Sequence, residues 1–395
     1  MNAPRSPIPK TVWVLGFVSM FMDISSEIIH ALLPLFLTAT LGISVAMVGL
    51  IDGVAEATAS ITKVFSGYLS DRMGKRKPLI LIGYSLGALS KPVFALAGTA
   101  PVIMGARFAD RIGKGLRGAP RDALVADVTP HEIRGRAFGL RQSIDTLGAF
   151  LGPLIAIAAM AAFNNDMRAV FWLAVIPAGI AVLLILVGVK DAKGPAGEGE
   201  ACVPVRIVDL RRLPRAFWLL VAIGAVFTLA RFSEAFLILK ANAEGLPLAL
   251  TPFVLVAMNA VYMLAAYPLG SLSDRVSAKT ILIGGLTALI AADLAFALLS
   301  GIAGTFVGIA LWGVHMAATQ GLFAKLVADR SPPELRGSAY GVFNLATGLS
   351  LLAASVIAGV AWDAIGPNAT FLTGAAFAFA ALVGLSAVRT DTPQV

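Results

Sequence analysis

The feature that most constrains this chain is the recurrence of long apolar segments. Runs of about 20 apolar residues follow one another almost from end to end, and each can cross a hydrocarbon core of about 30 Å as a helix. Twelve segments are predicted, with the bounds 12–38, 45–70, 78–98, 101–127, 137–162, 168–189, 215–240, 251–272, 279–300, 304–328, 337–361 and 369–388. The sequence therefore predicts an all-α integral membrane protein with twelve transmembrane helices.

Composition excludes several other classes. Of the 395 residues, 58% are hydrophobic and 14% are charged, whereas about 25% are charged in an ordinary soluble protein. The short alternating segments of a membrane barrel are absent. The net charge of +8 does not indicate nucleic-acid binding, because the cations are spread over many loops. No phosphate-binding loop, serine elbow or paired metal ligands occur, so we expect no enzyme activity, no cofactor and no metal site.

The distribution of loop cations predicts the orientation. Placing the N-terminus in the cytoplasm puts most loop lysines and arginines on the cytoplasmic side, where the positive-inside rule expects them. The opposite loops hold little beyond Arg168 and are otherwise neutral or acidic, with Glu244 and Asp363. We therefore predict a monomeric, multi-pass protein of the cytoplasmic (inner) membrane, embedded in lipid, with both termini in the cytoplasm.

One polar stretch, 190–214, divides six segments from six. It predicts an N-terminal six-helix bundle at 1–189, a cytoplasmic linker at 190–214 and a C-terminal bundle at 215–395. The halves are also related in sequence, since 124–139 pairs with 326–341 at an offset of 202 (328 − 126). Two parallel six-helix repeats joined by a linker are typical of one class of secondary transporter.

Three loop and helix motifs carry a resemblance to a known family. They are the run from Gly67 to Lys77, the basic Arg134-Gly135-Arg136, and the helical motif from Gly148 to Pro153. Together with the twelve segments and the repeat, they resemble the major facilitator superfamily over essentially the whole chain. The third motif resembles that of proton antiporters, although the double glycine that follows it in the family is missing here.

The resemblance implies residues that control gating during alternating access. They are Gly67, Asp71, Arg72, Gly74, Arg76, Asp127, Arg134, Gly148, Gly152, Pro153, Asp274, Arg275 and Asp329. In such a latch, the Asp71 carboxylate faces the positive N-terminus of a neighbouring helix, and Arg72 pairs with Asp127. The alternative is that these loop charges only fix topology.

Charged residues within the predicted helices are costly in a bilayer, so we expect them to face a cavity or a partner. Asp23, Glu27 and His30 share one face of the first segment, because their spacings are four and three. In the fourth segment a basic stripe follows the same periodicity; its members are Arg107, Arg111, Lys114, Arg117 and Arg121. The stripe has more cations than the nearby acids neutralise, which favours an anionic ligand. The alternative is a salt-bridge network that only ties helices together.

These charges define two sets of candidate site residues. The predicted proton-coupling residues are Asp23, Glu27, Asp145 and Glu234. The predicted substrate-binding residues are His30, Arg107, Arg111, Lys114, Arg117, Gln142, Arg231, Asn259, His315, Gln320 and Asn344.

The pattern predicts proton-coupled export of a small organic solute, anionic or amphipathic, by alternating access. Two alternatives stay open. One is an uptake permease for an organic acid, siderophore or metal chelate, and the other is a membrane scaffold or sensor that moves nothing.

Overall fold

The computed structural model describes residues 7–73, 75–130, 133–191, 213–272, 276–331 and 335–387, and the regular structure found there is helical, with no strand. The longer helices of the first part are α1 (Lys10–His30), α2 (Val45–Met73), α3 (Lys77–Leu96), α4 (Ala100–Val128), α5 (Arg134–Ala162), α6 (Met167–Leu173) and α7 (Val175–Gly188). Those of the second part are α8 (Arg215–Leu229), α9 (Ala235–Ala243), α10 (Phe253–Leu272), α11 (Ala278–Leu298), α12 (Gly301–Asp329), α13 (Arg336–Ala364) and α14 (Pro367–Ala387).

The predicted all-helical membrane fold is confirmed. Within the described part of the chain, ten helices are long and apolar enough to cross a membrane by length and composition. The 29-residue α4 is long enough but carries the basic stripe, and the 15-residue α8 is apolar but short.

Three of the predicted segments are interrupted rather than continuous. The first ends as α1 at His30 and resumes in the short helix Leu33–Leu35 and a π-helical turn at Phe36–Thr40, because Pro34 has no N–H to continue the ladder. The sixth divides at Ala174, whose carbonyl accepts a hydrogen bond from the Ser25 hydroxyl at 2.7 Å, and Pro177 follows in the next turn. The sequence predictions for these two segments missed the breaks.

The predicted seventh segment divides at residues 230–234, between α8 and α9. There the Ser233 hydroxyl accepts from the amide of Ala235 at 3.2 Å and donates to Asp52 at 2.8 Å. The amide of Ser233 donates in turn to the Ser355 hydroxyl at 3.2 Å. Because side chains satisfy these backbone groups, the helix can be interrupted inside the fold.

The chain forms two compact units. Unit 1 comprises Met1–Leu33 and Thr58–Pro204, and unit 2 comprises Pro34–Ala57 and Val205–Val395. The first half of α2 therefore belongs with unit 2. Most of the predicted linker, 192–212, lies outside the described residues.

Unit 1 is held together by close helix contacts at glycines. A Cβ on Gly113 of α4 would lie 2.5 Å from the carbonyl oxygen of Gly83 on α3. A Cβ on Gly148 of α5 would collide with the carbonyl oxygen of Met20 on α1. Only glycine allows such approaches, as is common between membrane helices. These contacts bring α1, α3, α4 and α5 side by side, and their charged residues with them.

Unit 2 has an aromatic core. Phe232, between α8 and α9, packs on Phe236 at 5.3 Å, on Trp312 of α12 at 5.4 Å and on Phe371 of α14 at 5.5 Å between ring centroids. Such ring contacts contribute beyond their buried area. Unit 2 also holds the first turn of α2, whose amides at Val45 and Ala46 donate to the Asp363 carboxylate.

The repeat is visible in one pair of lysines. Lys77, in the first turn of α3, donates to the carbonyl oxygen of Leu186 at 3.2 Å. Lys279, 202 positions later in the first turn of α11, donates to the carbonyl oxygen of Ser386 at 3.0 Å. In each unit the cation meets carbonyls at the C-terminus of a neighbouring helix, where the helix dipole favours positive charge.

Candidate functional site

The innermost feature of the site is a salt bridge between α3 and α4. Lys91 Nζ lies 2.8 Å from Asp110 Oδ1, and the side chains are only 1% and 4% exposed. Lys91 Nζ also donates to the Ser26 hydroxyl of α1 at 3.1 Å. The contact requires close helices, which the glycine pair Gly83 and Gly113 provides. The pair was not among the predicted site residues, although a lysine and an aspartate in facing apolar segments signal it.

The acidic face of α1 lies against this region. Asp23, Glu27 and His30 are all half-buried, and His30 Nδ1 lies 3.6 Å from Glu27 Oε2. The charges of Asp145, Lys114, Arg117 and Glu27 act on the Asp23 carboxyl. The structure therefore brings the predicted acids of α1 together with the basic stripe of α4 and with α5.

The members of the basic stripe differ in burial. Arg107, Arg111 and Arg117 are between 3% and 5% exposed, whereas Lys114 is exposed and Arg121 is half-buried. The stripe is thus not uniformly open to water. Its most accessible cation is Lys114, whose charge acts on both Asp23 and Glu27.

Two arginines of the stripe have defined partners. The guanidinium of Arg117 lies 4.6 Å from the ring centroid of Tyr84 on α3, in cation–π geometry. Its Nη1 is buried and has no hydrogen-bond acceptor in the described structure. Arg121 donates to the Ser19 hydroxyl at 2.9 Å and to Asp122 at 3.1 Å, and lies 3.9 Å from Asp145. Arg117 therefore retains a buried hydrogen-bond donor without an acceptor in the described structure.

Sequence reasoning missed Arg141 on α5. This side chain is 6% exposed and lies 3.6 Å from Asp145 and 3.9 Å from Asp122. It also donates to the Gln142 side-chain oxygen at 2.5 Å. Its position four residues before Asp145 is the spacing of a helical ion pair, and that signal was available in the sequence.

We define the charged cluster as the Asp, Glu, Lys and Arg side chains of α1, α3, α4 and α5 that were described above for this site. Its members are Asp23, Glu27, Lys91, Arg107, Asp110, Arg111, Lys114, Arg117, Arg121, Asp122, Arg141 and Asp145. With seven cations and five acids, all ionised, it carries an excess of two positive charges (7 − 5). The network of ion pairs is real, but it does not neutralise the cations.

The predicted site residues of unit 2 are fewer and more scattered. Arg231 and Glu234 lie at the break between α8 and α9, 3.5 Å apart. His315 is fully buried, hydrogen-bonds through Nδ1 with the Gly285 carbonyl at 2.8 Å, and stacks on Phe227. Asn259 and Asn344 are half-buried. The side chain of Gln320 lies outside the described structure.

The predicted gating residues are only partly described. The side chains of Asp71, Arg72, Arg134 and Asp329 fall outside the described structure, as do Gly74, Asp274 and Arg275 entirely. Gly67 faces Ala119 of α4, at 3.5 Å from a built Cβ.

Asp127, which the sequence paired with Arg72, lies 3.3 Å from Arg76. Arg76 also donates to Ser70 at 2.5 Å. The amides of Arg76 and Lys77 donate to the Asp191 carboxylate at 3.0 and 2.8 Å. Among the described side chains, Asp127 and Arg76 are therefore an acid and a base that meet at this end of unit 1, and the predicted pair of Arg72 and Asp127 stays a prediction.

The helical motif of α5 lies against α1. A Cβ on Gly152 would lie 2.6 Å from Glu27 Cβ and 3.0 Å from the carbonyl oxygen of Ile24. Pro153 follows within the helix. Gly148 and Gly152 therefore set the distance between α5 and the helix that carries the predicted proton-coupling acids.

Comparison with known proteins identifies the family. The family model described as Major Facilitator Superfamily matches residues 15–349 and 241–395. The chain belongs to the Major Facilitator Superfamily. An MFS-type transporter of Methanocaldococcus jannaschii is 32% identical over 385 residues, covering 95% of this chain and 94% of the relative. The predicted family is confirmed, and the chain is a multi-pass membrane transporter whose family binds small-molecule substrates.

Two further comparisons concern a sequence similarity over part of the chain and the fold. The quinolone resistance protein NorA of Staphylococcus aureus is 27% identical over 190 residues, which cover 48% of each protein. A solved structure of a mutant form of the nucleoside transporter NupG superposes with a TM-score of 0.78 at 14% identity, covering 95% of this chain and 99% of that one. The second likeness shows the shared fold.

Proposed function

We propose that this transporter exports a small organic anion, or an amphipathic molecule with an anionic group, in exchange for protons. The observation that carries the proposal is the excess of two positive charges (7 − 5) in the charged cluster of unit 1. Membrane-embedded cations are costly without compensation. An anionic ligand would supply the missing charge, and arginine suits a carboxylate or phosphate.

Asp23 and Glu27 are the proposed proton-coupling residues. Both lie on the half-buried face of α1, within reach of the Lys114 charge. Exchange requires that a proton and the substrate occupy the site in turn rather than together, and we assign Asp23 and Glu27 as the carboxyl groups that hold the proton. Asp145 and Glu234 are also proposed to take part in proton coupling.

The remaining features of the proposal rest on the sequence. They are two six-helix halves joined at 190–214, a location in the inner membrane with both termini in the cytoplasm, and gating by the motif residues. Export is supported by partial similarity to a resistance protein.

The test uses purified full-length protein in lipid vesicles with an imposed pH gradient. Carboxyfluorescein serves as the anionic probe and ethidium as the cationic one. We expect the gradient to drive carboxyfluorescein movement, and an uncoupler to stop it. Equal movement after the gradient has collapsed would exclude proton coupling, and a preference for ethidium would exclude the anion assignment.

A matched pair of variants locates the site. Lys114→Gln removes the accessible cation of the cluster, and Lys190→Gln removes an exposed cation after α7. We expect only the first to weaken anion binding. Equal affinities in both would favour a purely structural salt-bridge network.

The alternatives correspond to other outcomes. Accumulation of the anion in the direction opposite to export would indicate an uptake permease built on the same site. A protein that no probe stabilises against thermal unfolding would instead fit a scaffold or sensor.

A further inference from the structure

Unit 2 contains a buried acid that the charged cluster does not use. Asp293 on α11 is 0% exposed, and neither of its carboxyl oxygens has a hydrogen-bond partner in the described structure. A Cβ built on Gly374 of α14 would lie 2.7 Å from Asp293 Oδ2 and 2.9 Å from an edge carbon of Phe232. The Asp293 carboxyl group therefore lies against the backbone of α14 at Gly374, close to the ring of Phe232.

The repeat shows what is unusual about this position. Asp293 lies 202 residues after Lys91, and Trp312 lies 202 residues after Asp110 (293 − 91 and 312 − 110). In unit 1 these two positions hold a salt bridge of 2.8 Å. In unit 2 they hold an acid and an indole, and the indole Nε1 is also buried without an acceptor. The second repeat has kept a buried ionisable group but has lost its counter-charge.

Among the side chains that the structure describes on the surrounding helices, no titratable group replaces that counter-charge. On α12 the nearest in sequence to Trp312 is His315, whose Nδ1 is engaged with the Gly285 carbonyl. At the break between α8 and α9, Arg231 is engaged with Glu234 at 3.5 Å. Helix α14 carries no ionisable side chain. The other ionisable residue of α11 is Lys279, in its first turn, which donates to Ser386. None of these groups forms an ion pair with Asp293 in the described structure.

A carboxylate in such surroundings does not stay ionised without help. Burial of an unpaired charge in an apolar medium is so unfavourable that the group takes up a proton instead. A metal ion is a poor alternative, because the described part of the chain has no group of three or more His, Cys, Asp or Glu side chains that could hold one. The chemistry of the site therefore matches a proton.

We propose that Asp293 is a proton-binding site of unit 2, separate from the acids of unit 1. The carboxyl takes up a proton while it is buried between α11 and α14, beside Gly374 and Phe232. It releases the proton when these helices separate enough for water to reach Oδ2. A role of Asp293 in transport rests on the proposed function, whereas proton binding by Asp293 does not.

Infrared spectroscopy of purified full-length protein tests proton binding without any substrate. A protonated carboxyl has a C=O absorption that a carboxylate lacks. We expect the wild-type protein to show this absorption near neutral pH and to lose it as the pH is raised. Asp293→Asn, which has nearly the same shape, is expected to lack the part of this titrating absorption that Asp293 contributes, so that the difference between the two spectra isolates Asp293.

The control removes an acid that already has a cation. Glu244 accepts from Lys240 at 2.6 Å and from the Gly301 amide at 2.6 Å. Glu244→Gln should leave the titrating absorption unchanged. If wild type and Asp293→Asn give the same spectra at all pH values, Asp293 is ionised and the inference is wrong. An absorption that persists at every pH would make Asp293 a permanently neutral structural group, which also overturns it.

Vesicle transport separates this inference from the proposed function. If the pH gradient drives carboxyfluorescein in wild type and Asp293→Asn loses most of that movement, Asp293 binds a proton that is used in transport. If the variant transports like wild type, the proton at Asp293 is not used in transport. The proposed role of Asp293 in transport is then wrong, while the proposed function stands. If wild type is not driven by the gradient, the coupling proposal fails, and the infrared titration still decides whether Asp293 binds a proton.

Discussion

Lys91 and Asp110 form a 2.8 Å salt bridge in the interior of a membrane protein, with side chains 1% and 4% exposed. A buried pair of this kind offsets two desolvation penalties by mutual attraction, so it is of limited value as a stabiliser but costly to break. Because one partner lies on α3 and the other on α4, the contact fixes how these helices meet within the charged cluster.

The first prediction follows from the difference between the limited stabilisation that an intact buried pair gives and the large cost of removing one of its partners. Lys91→Met alone should destabilise the protein by about 3–5 kcal/mol, because Asp110 is left as an unpaired buried charge. The double variant Lys91→Met/Asp110→Leu should recover most of that loss. Thermal unfolding of the purified proteins in the same detergent measures both. A double variant as unstable as the single one would contradict the explanation.

The second prediction concerns the contact between α1 and α5. Gly152→Ala places a methyl group 2.6 Å from Glu27 Cβ, and overpacking of this size costs about 1–3 kcal/mol. We expect a lower unfolding temperature and reduced transport, since Glu27 shifts with its helix. Gly179→Ala on α7 is the matched control, because a Cβ there meets nothing within 4 Å. Equal behaviour of the two variants would show that the close contact does not constrain Glu27.

Much of the fold was predictable because hydrophobic length determines membrane spans directly. The breaks at Ala174 and Ser233 were not predictable in this way. They depend on Ser25 and Ser355, which are remote in sequence and hydrogen-bond with the backbone carbonyl of Ala174 and the backbone amide of Ser233. The local sequence predicts the length of an apolar segment, but it does not predict which distant side chain will stabilise a break in the helix.

The candidate site was predictable to a similar extent. Helical periodicity placed Asp23, Glu27 and the stripe on particular faces, and the structure brings those faces together. Periodicity did not distinguish exposed Lys114 from buried Arg111, nor did it reveal that Arg76 engages Asp127. Those facts depend on which neighbouring helix covers each residue, and a single sequence does not contain that information.

The third prediction concerns the first turn of α2. The Asp363 carboxylate accepts from the amides of Val45 and Ala46 at 3.1 and 2.8 Å, so it caps this helix from α13. Asp363→Ala should destabilise unit 2 by about 1 kcal/mol, as expected for loss of a cap. Asp363→Asn, which retains one acceptor oxygen, should lose less.

Hydrogen exchange of the first-turn amides of α2 is the direct measurement for this cap. We expect faster exchange at Val45 and Ala46 in Asp363→Ala, with Asp363→Asn between that variant and wild type. Unchanged exchange in both variants would show that the carboxylate does not hold the turn.

The last prediction concerns orientation and uses the single cysteine, Cys202, in the predicted linker. The positive-inside rule predicts that this linker lies in the cytoplasm. A membrane-impermeant thiol reagent should therefore leave the protein unlabelled in intact cells and label it in inverted membrane vesicles. The variant Cys202→Ser gives the background, and a variant with a cysteine in place of Glu244, Cys202→Ser/Glu244→Cys, should show the opposite pattern. Labelling of Cys202 from outside intact cells would reverse the assigned orientation.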